Sequence, residues 1–124
     1  MGTTIYTDSS LEEACFIIGD EAPVLVQHPK DITVNEGEYK AIIFALTEAR
    51  RRKLKDFILL TDSQFCTRQI QGDYVCKAPH LRPLRNQARD LLPNLNQIKW
   101  IPREENKAGK VLERRINVFR DHRY

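Results

Sequence analysis

Residues 56–62 read D-F-I-L-L-T-D, an apolar run held between two aspartates. A continuous run of this kind, bounded by acids, is the pattern of a strand buried on both faces of a sheet. The segments on either side of it therefore decide how the sheet is covered. Upstream, from Glu36, the residues Ile42, Ala45, Leu46 and Ala49 recur at i, i+3, i+4 and i+7 and predict a helix of about four to five turns. Asn35 is expected to cap its start, and Arg50, Arg51, Arg52 and Lys53 suit the negative end of its dipole. Downstream, S-Q-F-C-T-R-Q-I-Q at 63–71 reads as a short helix capped by Ser63 and broken by Gly72. Residues 79–92 read as another helix, with Leu81, Leu84, Ala88 and Leu91 on one side and Pro83 admissible only in its first turn. Pro93 and Asn94 stop it.

The two ends of the chain complete the pattern. T-T-I-Y-T-D at 3–8 reads as a strand, and A-C-F-I-I-G at 14–19 and A-P-V-L-V-Q at 22–27 read as two more, joined by the turn residues G-D-E into an antiparallel hairpin. Q-I-K-W-I-P at 97–102 is a last strand, and the helix that begins at A-G-K-V-L places Leu112, Ile116 and Phe119 toward the core. Three meander strands followed by helical crossovers imply an α/β fold: a five-stranded mixed sheet whose first, fourth and fifth strands run parallel, flanked by helices.

With 124 residues, 41% hydrophobic and 30% charged, the chain is expected to form one domain, residues 1–124. No apolar run is long enough to span a bilayer, and the N-terminus lacks the layout of a signal peptide. Cys15, Cys66 and Cys76 are odd in number and without C-x-x-C spacing, so free thiols in a reducing, cytoplasmic setting are expected. The net charge of +3 by itself says little about partners.

Two strands end in an acid, Asp8 and Asp62. Parallel neighbours would bring both to one edge of the sheet, one interstrand spacing of about 5 Å apart. Glu38, expected in the first turn of the long helix, would join them. Three converging carboxylates repel one another unless a cation is bound, and all-oxygen ligation suits Mg²⁺ or Mn²⁺. Singly, each acid also fits a plainer role as turn former, cap or dipole partner.

Four segments in order, I-Y-T-D-S-S, T-V-N-E-G-E-Y-K-A, L-L-T-D-S-Q-F and W-I-P-R-E-E-N-K-A-G, resemble the type 1 ribonuclease H-like family over nearly the whole chain. K-A-P-H-L-R-P-L is similar to short bacterial and archaeal-like members, and no basic protrusion separates the second and third helices. The resemblance implies cleavage of the RNA strand of RNA/DNA hybrids with two Mg²⁺ or Mn²⁺ ions. It implies that Asp8 bridges both ions while Glu38 and Asp62 hold one, and that Thr33, Asn35 and Gln64 contact phosphate, ribose or base edges. Capping and turn formation are the alternative for these three.

The sequence departs from the family pattern at Lys110, four residues after Asn106, where the family carries an Asp. Glu113 stands about 60° around the helix from Lys110 and is expected to supply the fourth carboxylate. The family's loop histidine has no counterpart near residues 100–104, and S-S-L-E-E replaces the glycine-rich turn after the first Asp. Arg82, Arg85 and Arg89, preceded by Lys77 and His80, form a stripe opposite the leucines that would follow phosphates, or be simply solvated. The partner expected is therefore an RNA/DNA hybrid, with no membrane and no protein partner in evidence. A nucleic-acid-binding protein with weak or no cleavage is the alternative that Lys110 raises.

Overall fold

The computed structural model describes residues 2–121, with side chains through Arg115. Its strands are β1 (Thr3–Ser9), β2 (Glu13–Ile18), β3 (Val24–Gln27), β4 (Phe57–Thr61) and β5 (Ile98–Trp100), and its helices α1 (Val34–Arg51), α2 (Gln64–Gln71), α3 (Arg82–Leu91) and α4 (Lys107–Asp121). The sheet order is β3-β2-β1-β4-β5. β1, β2 and β3 pair antiparallel, while β1 with β4 and β4 with β5 pair parallel, as the strand and helix order implies.

D-F-I-L-L-T-D is the strand β4, with Phe57, Leu59 and Thr61 buried and Ile58 and Leu60 half-buried. Helices cover both faces. On one, Ile5, Leu59 and Ile98 meet Tyr39, Ile42 and Leu46 of α1 and Ile70 of α2. On the other, Cys15 and Ile17 meet Ala108 and Leu112 of α4. Each such Leu or Ile contributes about 1.5–3 kcal/mol by leaving water. The predicted contacts of Ile116 and Phe119 lie outside the described side chains.

Helix α1 buries the predicted stripe, Ile42, Ala45, Leu46 and Ala49. Its cap differs from expectation. Thr33 Oγ1 accepts from the Glu36 backbone N–H at 3.2 Å, and Glu36 Oε1 accepts from that of Thr33 at 3.3 Å. T-V-N-E has the spacing of a reciprocal capping box, so Thr33 takes the cap and Asn35 falls inside the first turn. Ser63 caps α2 as expected, and Gly72 ends it at φ 88°, a left-handed conformation open to glycine. α3 starts at Arg82 rather than 79, with Pro83 in its first turn where no N–H is missed. Asn106 anchors α4: its amide donates to Thr7 O at 2.9 Å and its Oδ1 accepts from Ala108 N at 3.2 Å, both buried. One side chain thereby fixes the last helix against the central strand.

Candidate active site

The parallel register sets Thr7 of β1 beside Thr61 of β4, the last pair between the two strands, so the next residues, Asp8 and Asp62, stand together at the same edge. Helix α1 passes that edge and contributes Glu38. Because α1 begins at Val34, Glu38 lies in its second turn rather than the first, too far in to serve the helix dipole. Ligand oxygens of Asp8, Glu38 and Asp62 all lie within 4.8 Å of one another. Asp8 is 6% exposed and Glu38 8%, and Glu38 Oε2 has no hydrogen-bond partner among the described residues.

Bare carboxylates held this way resist ionisation. Burial first, then the Asp62 charge, push Asp8 up to about 6. Burial first, then Asp8 and Asp62, push Glu38 up to about 9, so that without a cation Glu38 keeps its proton and donates it to Asp8. The Ser9 backbone N–H opposes both shifts. A largely buried, oxygen-only, proton-sharing cluster with an unpartnered oxygen fits a hard divalent cation.

The fourth carboxylate is where expectation and geometry part. Glu113 is exposed, its Oε1 lies 3.4 Å from Arg103 Nε, and it is outside the three-acid group. The reason is helical phase: Leu112 takes the inward direction on α4, and Glu113, about 100° further round, turns toward solvent and Arg103. Asp8, Gly109, Arg103 and Glu113 do line one recess of about 230 Å³. Lys110 is exposed and lines a neighbouring recess with Arg103, Glu104 and Glu113. The residue that α4 presses against the acids is Gly109, where a Cβ would stand 2.8 Å from Asp8 Oδ2. Its neighbourhood to Lys110 in sequence was visible; its contact with Asp8 was not.

The family model described as reverse transcriptase-like matches residues 20–115. Ribonuclease HI of Halobacterium salinarum is 35% identical over 82 residues, covering 64% of this chain and 41% of that protein. The bifunctional protein Rv2228c of Mycobacterium tuberculosis is 30% identical over 92 residues, 70% of this chain and 25% of that protein. The chain thus spans less than half the length of these curated relatives. Among solved structures, RNase H1 of Halobacterium salinarum NRC-1 superposes with a TM-score of 0.76 at 26% identity, covering 90% of this chain and 94% of that one. LC11-RNase H1 in complex with an RNA/DNA hybrid gives 0.76 at 28% identity, covering 89% and 92%. The chain belongs to the type 1 ribonuclease H-like family.

In this ribonuclease H-like domain the arginine stripe is not free. Arg89 donates to Ile70 O at 2.8 Å and Gln69 O at 3.0 Å, closing the carbonyl end of α2, and Arg82 donates to Cys76 O at 2.9 Å. Arg85 folds onto its neighbour Asn86. Arg82 and Arg89 thus serve local backbone carbonyls, since carbonyls left over at a helix end or loop need donors, while Arg85 serves a neighbouring side-chain amide. Arg89→Ala is expected to lower unfolding free energy by about 1.5–3 kcal/mol in a denaturant titration. An unchanged midpoint would return Arg89 to the free surface. Thr33 is exposed and Asn35 half-buried at the start of α1, and Gln64 is exposed at the start of α2, so all three flank the acidic edge.

Ser9, His28 and Gly37 are site-adjacent residues the sequence did not single out. His28, 8% exposed, sets Nε2 2.7 Å from Ser9 Oγ, while that hydroxyl donates to Ser10 O at 2.9 Å. With the hydroxyl proton so used, His28 Nε2–H is the donor to Ser9. Burial, then Lys40, hold His28 below its usual pKa, which agrees with a neutral ring. Gly37 makes room: a Cβ there would stand 2.5 Å from Ser9 Oγ. The residue after Asp8 and the residue before Glu38 are thus packed together, coupling the two ligand-bearing elements. Gly37→Ala is expected to cost about 1–3 kcal/mol through overpacking. Ser9→Ala combined with it is expected to cost less than the two single changes added, by about 1 kcal/mol in a thermal-unfolding cycle. Additive losses would show that the contact does not couple them.

Proposed function

We propose that this domain is a metal-dependent endoribonuclease that cleaves the RNA strand of RNA/DNA hybrids. The observation that carries the reading is the convergence of the buried Asp8 and Glu38 with the half-buried Asp62 at the carboxyl edge of two parallel strands. Asp8, Glu38 and Asp62 would together hold the Mg²⁺ or Mn²⁺ ions. Bound ions would supply activation of the attacking water and stabilisation of the departing 3′ oxygen. The chain's own part would be orientation: the Ser9 backbone N–H favours the charged forms of Asp8 and Glu38, the Trp100 indole N–H donates to the Asp62 carbonyl at 3.2 Å, and Glu38 would give up its proton to hold a cation. Thr33, Asn35 and Gln64, at the helix starts beside the acids, would contact the duplex. A reducing, cytoplasmic setting accords with three free, buried thiols.

The second reading is a domain that binds hybrids and cleaves them weakly. Its specific support is the occupied state of Glu113 on Arg103 and the cation Lys110 at the family's acidic position. One experiment separates the two. Labelled hybrid, duplex DNA and duplex RNA are incubated in Mg²⁺ and in Mn²⁺. Hybrid-selective cleavage supports the enzyme, tight hybrid binding without cleavage in either metal supports the binder, and no binding at low salt sinks both.

A further inference from the structure

Beside Asp62 lies a second recess, of about 270 Å³, between α2 and β5, lined by Gln64, Arg68, Gln71, Lys99 and Trp100 among others. Trp100 is the chain's single tryptophan and is 46% exposed. Its indole N–H is already used on the Asp62 carbonyl at 3.2 Å, so the ring is held in place and offers only its aromatic surface. Arg68 and Lys99 supply positive charge. The Arg68 guanidinium lies 5.5 Å from the centroid of the Tyr74 ring, and its Nε is buried without a partner among the described residues. Its contact with Asp73 is long, at 3.9 Å, with both side chains open to water, so the guanidinium keeps free donors. Tyr74 is itself 45% exposed. One open aromatic ring, Trp100, and two cations therefore line a recess next to Asp62, with Tyr74 behind Arg68.

Open ring faces beside cations select one kind of ligand. A base inside a duplex hides both faces in its stack and presents only groove edges and phosphates. An unpaired base has a face free to stack, and its phosphate reaches a nearby cation. We propose that this recess is a subsite for an unpaired nucleotide flanking the duplex, its base stacked on Trp100 and its phosphate on Lys99 and Arg68. This rests on the ribonuclease H reading of the acids and adds a substrate preference: hybrids that continue into single strand over blunt ones.

Tryptophan fluorescence reads this subsite directly, because Trp100 is the only indole. Protein carrying Asp8→Asn, to prevent cleavage, is titrated in Mg²⁺ with a blunt RNA/DNA hybrid, the same hybrid extended by single strand at either end, and the single strand alone. An extended hybrid is expected to bind about 5- to 150-fold more tightly than the blunt one and to quench Trp100. Followed by anisotropy of a labelled strand, Trp100→Phe keeps most of that advantage. Trp100→Ala abolishes that advantage, read as the ratio of extended to blunt affinity, and Arg68→Ala with Lys99→Ala removes it while blunt-hybrid affinity changes little. Equal affinity and equal quenching for blunt and extended hybrids would overturn the subsite and leave the ribonuclease H reading standing. Failure of every hybrid to bind overturns both. Thermal melting of each variant confirms that it is folded.

Discussion

Asp8→Asn is expected to lower hybrid cleavage at least about a thousandfold and, in the same protein stripped of metal, to raise the melting temperature. The first effect follows from removing the carboxylate between the other two, whose loss takes about 4 kcal/mol or more from the barrier lowering. The second follows from electrostatics, since without a cation the acids oppose folding. Burial and the Asp62 charge raise Asp8 from 3.8 to about 6, so folding stability present at low pH is absent at high pH. Its sign is fixed by linkage: the native state holds protons more tightly than the unfolded chain, so stability is fully present below about pH 4 and falls as pH rises through 6 for Asp8 and on toward 9 for Glu38. Melting in EDTA should therefore give a lower midpoint at pH 8 than at pH 5, and added Mg²⁺ should remove most of the difference. Asparagine at position 8 should flatten the same curve. A metal-free melting temperature that rises from pH 5 to 8, or an Asp8→Asn protein less stable than its parent in EDTA, would count against the proton-sharing cluster.

Lys110→Asp is expected to raise cleavage at limiting Mg²⁺ by about 10- to 100-fold, the largest gain open to a single substitution here. The change moves the local charge by two, next to Gly109, whose Cβ position is 2.8 Å from Asp8 Oδ2. At a separation of about 10 Å and an effective dielectric between protein and water, two charge steps acting on a divalent ion amount to about 2–4 kcal/mol. Glu113→Gln, by contrast, is expected to change cleavage less than about threefold, because its carboxylate is exposed and engaged with Arg103. Calorimetric Mg²⁺ titration of the three proteins measures the same ordering without relying on turnover. A severe loss in Glu113→Gln with no gain in Lys110→Asp would restore Glu113 as the fourth ligand.

The acids were legible in the sequence because strand ends are. I-Y-T-D and L-L-T-D each place an Asp just after the last residue at which β1 and β4 pair, and parallel pairing then leaves them no choice but the same edge. Glu38 followed from the helical period that begins near it. The end points of side chains were less legible. Asn35 and Thr33 both suit a cap, and only the reciprocal bond from Glu36 chose Thr33. Arg82, Arg85 and Arg89 were correctly spaced on α3, but spacing along a helix does not show where a long side chain ends, and each of theirs has a local hydrogen-bond partner. Glu113 was within reach by helical angle, and reach alone could not weigh Arg103 against Asp8.

What this chain's sequence determined by itself is the order and type of its elements, the parallel placement of β1, β4 and β5, and the three acids at their carboxyl edge, because periodicity and strand polarity are properties of local sequence. Tertiary structure alone decided the rest: that Asn106 pins α4 to Thr7, that Gly109 rather than Lys110 meets Asp8, that Glu113 turns to Arg103, and that Ser9 and Gly37 fit together under His28. These depend on a few tenths of an ångström between residues distant in the chain, and close packing rather than pattern sets distances of that size.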